Sequence, residues 1–420
     1  MAKLKKGFRK ATAVFMSSLV AVSALSTGMA MSASAVSYSE MSALDQYAYS
    51  GNDLGANYSK SSTTFKVWAP TASNVILKRY KTGSDSESGA AVIGTTDMTK
   101  GSQGIWSATV SGDLAGTYYT YLVTVNGTTK ETVDIYAKST GVNGMRGMVI
   151  DLDATDPDGW DNDTRVSCKN QTDAVIWEAH VRDFSASSDS GMKNKGKYLA
   201  FTETGTTVNN DGIHPTGIDY LEDLGVTHVH LLPVYDYGSV DETKLNTDQF
   251  NWGYDPMNYN TPEGSYSTDP YHGEVRVKEF KQMVQSLHKK NIGVVMDVVY
   301  NHTYAGNSNI NDWFNYTVPD YYYRQNSKGT FSNASGCGNE TASDRAMYQK
   351  FMVDSLKYWA TEYHLDGFRF DLMGIHDTDT MNLIRAELDK INPDILIYGE
   401  PWTAEATPCP KTTAVQGNMK

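Results

Sequence analysis

Apolar residues follow two different periods along this chain. From about Asp45 to Ala137 they alternate with polar residues in short runs. The runs are Phe65 to Trp68, halted by Pro70; Val75 to Tyr80; Gly104 to Val110; and Tyr118 to Val125, which enters an Asn126-Gly127 turn. Alternation broken by turn residues predicts strands, and an Asn-Gly pair marks a hairpin. No helical period of comparable length interrupts them, so 45–140 is read as a β-sandwich with Trp68 and Trp106 in its core.

A Gly- and Asp-rich stretch, 141–172, reads as a linker. Beyond it, from 173 to 420, apolar strands alternate with helical stripes. Ala174–Trp177, Val226–Leu232, Ile292–Asp297, Asp366–Asp371 and Ile395–Tyr398 read as strands. Between them fall a short helix Ile218–Leu224, the helix Val275–Lys290 with Val277, Phe280, Val284 and Leu287 on one stripe, and two more helices. Those two carry Met352, Leu356, Trp359 and Tyr363, then Met381, Ile384, Leu388 and Ile391. Strands regularly followed by helices predict an α/β region with a parallel sheet and crossovers.

The start of the chain has neither period. Lys3 to Lys10 are basic, Ala11 to Ala30 are small and mostly apolar, and Ala33-Ser34-Ala35 is a small-x-small site, the pattern of a signal peptide over 1–35 and hence of a secreted, extracellular protein. A membrane anchor is the alternative; Ser17, Ser18, Ser23, Ser26 and Thr27 dilute the run too much for it. The formal charge is −13, which argues against nucleic acid, and against a membrane once the leader is removed, as partners. The 27 Tyr and 8 Trp suit a sugar ligand, whose C–H faces stack on rings. Cys168, Cys337 and Cys409 are too widely spaced for a disulfide framework or a zinc site, although one pair is allowed in an oxidising compartment.

Candidate chemistry gathers at the carboxyl ends of the later strands, where parallel α/β folds place functional groups. Asp297, Asp371 and Glu400 end three consecutive strands. Arg369 and Asp371 share a strand face. A guanidinium beside Asp371 is expected to favour its ionised form, as a nucleophile requires, while Glu400 keeps its proton through like charge and burial. Two such carboxyl groups ~5–5.5 Å apart perform retaining glycoside hydrolysis, and adjacent strands about 4.8 Å apart can supply that separation. A salt-bridged sheet layer is the alternative.

Asp297-Val298-Val299-Tyr300-Asn301-His302, Gly367-Phe368-Arg369-Phe370-Asp371 and Gly399-Glu400 resemble three of the four signature regions of the α-amylase superfamily, glycoside hydrolase family 13. Asn251-Trp252-Gly253-Tyr254-Asp255-Pro256, Asp371 to Asp377, Tyr398-Gly399-Glu400-Pro401-Trp402 and Ser335 to Glu340 resemble type I pullulanases, the bacterial α-1,6-debranching enzymes. Phe65-Lys66-Val67-Trp68-Ala69-Pro70 resembles the family 48 carbohydrate-binding module, which in many such enzymes packs on the catalytic domain without strong binding; binder and spacer both stay open.

The resemblance implies a (β/α)8 TIM barrel, of which about five of eight strands are present. It implies an α-glucan substrate (pullulan, starch or glycogen), with Asp371 as nucleophile and Glu400 as acid/base. Arg369 would orient the nucleophile, His302 would hydrogen-bond the attacked sugar, and Tyr254 would stack beneath it. Asp297 would be the structural partner of the arginine, and Trp402 would line the acceptor side or pack. No cofactor is required. Asn301 matches a position that ligates Ca²⁺ in many amylases, with a loop hydrogen bond as the alternative; Cys337 reads as a loop constraint. The fourth region, a later His-Asp pair, is missing, since among nine histidines only His376 precedes an Asp. A barrel spends roughly 30 residues per βα unit, and only 20 residues follow Glu400. The chain therefore reads as C-terminally truncated, with turnover impaired and exposed sheet edges that favour aggregation. Two other functions are weighed: an α-1,4-acting amylase or neopullulanase, and a non-catalytic starch-binding protein.

Overall fold

Alternation in the first region produces two antiparallel sheets, because each strand has one apolar face to bury. The computed structural model describes residues 38–306, 308 and 310–419; the leader read at 1–35 lies outside them. Among the described residues the first region contains β1 (Gly55–Ser59), β2 (Ser62–Trp68), β3 (Asn74–Tyr80), β4 (Val92–Asp97), β5 (Thr99–Lys100), β6 (Ile105–Ser111), β7 (Tyr118–Val125), β8 (Thr128–Thr132) and β9 (Gly147–Met148). One sheet runs β1-β2-β6-β5 and the other β4-β3-β7-β8, with β9 along β7. Phe65, Val67, Val75, Leu77, Trp106, Tyr119, Tyr121 and Val123 fill the space between them. At the β7–β8 hairpin Asn126 (φ 50°) and Gly127 (φ 76°) both take the left-handed conformation that a tight hairpin turn requires.

The alternating pattern locates β2, β3, β6 and β7, the strands with a buried face. It passes over β4 and β8, most of whose residues are exposed on both faces. Two expectations change. Trp68 leaves the sandwich core and packs against the second region, with its ring 4.8 Å from that of Tyr321 and its indole N–H donating to the Tyr47 carbonyl at 2.9 Å. Residues 141–172 are a packed strap rather than an open linker: β9 joins the sandwich sheet, and Val142, Val149 and Trp160 are buried.

The second region contains β10 (Ile176–Ala179), β11 (His228–Leu231), β12 (Tyr235–Tyr237), β13 (Pro256–Pro262), β14 (Gly293–Val298), β15 (Gly367–Phe370) and β16 (Leu396–Gly399). Among the described residues β10-β11-β14-β15-β16 form a parallel five-stranded sheet, the topology of part of an α/β barrel. The helices Gly217–Leu224, Gly273–Lys289, Ala346–Glu362 and Thr378–Asp389 connect its strands. Val277, Phe280, Val284 and Leu287 are buried, as are Met352, Leu356, Trp359 and Tyr363, and Phe368 and Phe370 of β15 lie in the same core. Each such side chain, fully buried, contributes about 1.5–3 kcal/mol.

Sequence pattern does not show the antiparallel hairpin β12–β13. Its long strand carries Pro256, Asn258, Asn260 and Pro262, all buried, so polarity and Pro mask a strand that lies wholly inside. The three cysteines form no disulfide among the described residues. Among the described residues no helix is long and apolar enough to cross a membrane.

Candidate active site

Strand register sets the site. Asp297 of β14, Arg369 of β15 and Tyr398 of β16 are partners across the sheet, as are Val298, Phe370 and Gly399 one step later. The ladder continues past the strand ends, where Asp371 N–H donates to the Val298 carbonyl and Glu400 N–H to the Phe370 carbonyl, each at 3.0 Å. Asp371 and Glu400 therefore stand at one level on neighbouring strands. Gly399 permits this approach, since a Cβ there would lie 2.6 Å from the Phe370 carbonyl oxygen.

Arg369 is the hub. Its Nη1 lies 3.0 and 2.9 Å from the two Asp297 oxygens and 3.1 Å from Asp371 Oδ1, while its Nη2 lies 2.6 Å from Glu400 Oε1. Both end-of-strand carboxylates thus touch one planar guanidinium, which holds their contacting oxygens within about 8 Å of each other. Asp371 Oδ2 accepts from Asn301 Nδ2 at 2.8 Å, so each oxygen of this carboxylate has its own donor. Glu400 Oε2 accepts the Leu372 N–H at 3.2 Å. Leu372 has φ 42°, a left-handed conformation uncommon outside Gly and Asn, immediately after Asp371. Backbone strain of this kind gathers at functional sites.

Burial corrects the expectation for Asp371. Loss of solvent pushes its carboxyl up to about 6, and this outweighs the lowering from the Asn301 hydrogen bond and the Arg369 charge. The group remains mostly ionised at neutral pH, but as a stronger base than an ordinary aspartate.

His302 lies beside Asn301 and Tyr254. It is 3% exposed, and its Nδ1 and Nε2 lie 2.7 Å from Asn301 Oδ1 and 2.9 Å from the Tyr254 carbonyl. Burial lowers its pKa to about 4, yet both ring nitrogens face acceptor oxygens, to only one of which a neutral ring can donate; the ring packs against Asn301 and Tyr254. Tyr254 donates its hydroxyl to Asp297 Oδ2 at 2.7 Å and stays half-buried, its position fixed. Trp402 is 52% exposed. Calcium does not fit Asn301, a buried residue whose amide is engaged at both ends, by Asp371 and by His302; no step below uses it. The sequence's His376-Asp377 pair is structural: His376 is buried, and Asp377 caps the helix Thr378–Asp389 by accepting the Thr380 N–H at 3.0 Å.

Sequence reasoning missed His230. Its Nε2 lies 3.3 Å from Asp297 Oδ2, and Tyr398 meets its ring edge-on at 5.9 Å. The available signal was its place near the carboxyl end of β11, two residues after His228 on the same strand.

Residues 53–137 match the family model for carbohydrate-binding module 48, the isoamylase N-terminal domain, and residues 182–343 match that for the alpha amylase catalytic domain. A pullulanase of Bacillus subtilis is 43% identical over 366 residues, which are 87% of this chain and 48% of that protein. The solved pullulanase of Bacillus acidopullulyticus superposes with a TM-score of 0.84 at 52% identity, covering 89% of this chain and 45% of that one. The pullulanase of Paenibacillus barengoltzii in complex with maltohexaose and α-cyclodextrin gives 0.85 at 47% identity, over 89% and 57%. The chain spans about half the length of these relatives. A match to a family 48 module thus leads into a match to an alpha amylase catalytic domain, and over most of its length the chain is similar to pullulanases.

Proposed function

We propose that this site hydrolyses α-1,6-glucosidic branch linkages in α-glucans such as pullulan, starch or glycogen, with retention at the anomeric carbon. The observation that carries the reading is the placement of Asp371 and Glu400 at one level of adjacent strands, joined through Arg369. An Asp371 oxygen attacks the anomeric carbon as the glycosidic C–O bond breaks, and Glu400 delivers a proton to the leaving oxygen. Glu400 then takes a proton from water, which displaces Asp371. For this the Glu400 carboxyl turns from Arg369 toward the leaving group.

Asn301 and Arg369 fix the two Asp371 oxygens, which limits the orientations lost on reaching the transition state. The half-exposed Tyr254 ring, tethered through its hydroxyl to Asp297, offers a flat face to the attacked sugar, and the exposed Trp402 ring a second one. The maltohexaose and α-cyclodextrin complex of the Paenibacillus relative supports an α-glucan as the ligand here. Similarity to pullulanases and the Gly399-Glu400-Pro401-Trp402 motif favour the α-1,6 bond.

Incubation with pullulan tests the reading. Maltotriose as product supports it. Panose would indicate an α-1,4-acting enzyme, and retention of bound glucan without any product a non-catalytic binder.

A further inference from the structure

A second group of acids lies under the hairpin β12–β13, and the proposed reaction uses none of it. Asp236 of β12 faces its register partner Asn258 of β13, Glu263 follows β13, and Glu242 sits in the short turn after β12. Their three carboxylates are buried and offer oxygens within 4.8 Å of one another. The guanidinium of Arg276, itself buried, pairs with them at 3.3 Å from Asp236 and 3.0 Å from Glu242. Three carboxylates face one guanidinium in a dry interior; burial and their mutual repulsion push the Asp236 and Glu263 carboxyls up, so the cluster holds protons unless another cation takes their place.

Independent observations point to a missing positive partner. Glu242 Oε1 and Asn258 Oδ1, on residues each 4% exposed, accept no hydrogen bond among the described residues. The Asn258 amide cannot be reversed, because its Nδ2 donates to the Gly144 carbonyl at 3.0 Å and to Asp236. These two orphans are acceptors, which a cation would satisfy; Arg276 Nε, a buried donor at the same cluster, is also without a partner among the described residues. Two glycines let these groups close up on the backbone: a Cβ at Gly264 would overlap Glu242 Oε1 and the Arg276 guanidinium, and one at Gly144 would overlap Asp236 and Asn258. Oxygen donors of carboxylate and amide type suit a hard divalent cation such as calcium.

We propose that Asp236, Glu242, Glu263 and the Asn258 carbonyl oxygen bind one divalent cation of the calcium class. The cation would fasten the strap to the parallel-sheet region. Asn143 N–H donates to Glu242 Oε2 at 2.6 Å, the Glu242 N–H returns to Asn143 Oδ1 at 2.7 Å, and Gly144 is held by Asn258. The strap and the acids therefore form one unit that the ion would lock.

The test uses the full chain, stripped with a chelator and dialysed. Calcium at a hundredfold excess over its Kd is expected to raise Tm by about 3 °C. Glu242→Gln keeps the shape, loses one charge and is expected to weaken binding about tenfold or more. No Tm shift and no binding heat in the wild-type chain, or an unchanged affinity in the variant, overturns the proposal and leaves protons as the neutralising charges. If the variant fails to fold, a crystal soaked in Mn²⁺ decides. An anomalous peak ringed by Asp236, Glu242 and Glu263 supports the site; its absence there overturns it.

Discussion

Two aspartates, one in each region, are pushed up to about 6 by the same cause, burial, and yet they do different work. Asp134 of the sandwich is enclosed completely and accepts the Tyr119 and Tyr121 hydroxyls at 2.9 and 3.1 Å and the Tyr136 N–H at 2.9 Å. It ties β7 to the segment just after β8, with no cation among its hydrogen-bond partners in the described residues. Asp371 keeps a partly open side, touches Arg369, and has Glu400 on the neighbouring strand. A shifted carboxyl therefore marks a reactive group only when access and a second charge accompany it.

Substitutions at the two aspartates break the comparison most sharply. Asp371→Asn is expected to lower maltotriose release by about a thousandfold or more, since the covalent step loses its nucleophile. Asp134→Ala is expected to leave the released product and the pH profile unchanged.

Arg369→Lys comes next. One ammonium cannot reach three carboxylates, so the rate is expected to fall by about a hundredfold. With the positive charge held farther from it, Asp371 rises further, and the acid limb of the pH–rate profile, expected near 6, moves upward; a limb that stays in place would remove Arg369 from the account.

In stability the order of the aspartates reverses. Asp134→Ala leaves two buried hydroxyls and an N–H without their acceptor and is expected to cost about 2–4 kcal/mol in urea unfolding. Asp371→Asn is expected to stabilise. The folded carboxyl titrates near 6, above its ordinary value of 3.8. Folding therefore favours the protonated form, and stability is lost as pH rises through that window. The variant should gain roughly 1 kcal/mol at pH 8 and nothing at pH 4; a gain equal at both would exclude this origin.

Much of this was legible in the sequence where one residue's neighbours decide its fate. Strands with a single buried face, such as β3 and β7, and helices with a continuous stripe, such as Gly273–Lys289, show their period directly. Asp371 and Glu400 were legible because each ends an apolar run, and strand ends are where such sheets expose chemistry. What escaped depends on distant chain. Asp371 titrates high because long-range packing excludes water, and that exceeds the visible effect of Arg369 two residues away. His302 packs against Tyr254, from another loop, whose carbonyl faces its Nε2. Trp68 serves an interface because Tyr321 comes to meet it. Asp236, Glu242, Glu263 and Arg276 are scattered in sequence and meet only once the hairpin and the strap close over them.

Covalent capture tests the central claim most directly. An α-glucosyl fluoride loses fluoride without needing a proton, so Glu400→Gln should still form the glycosyl-enzyme while failing to activate water for its release. Peptide mass spectrometry of that variant is expected to find one glucosyl group esterified to Asp371. A glucosyl group on another carboxylate, or none on a chain that still binds the fluoride, would contradict the assignment of Asp371 and Glu400 as the reacting pair.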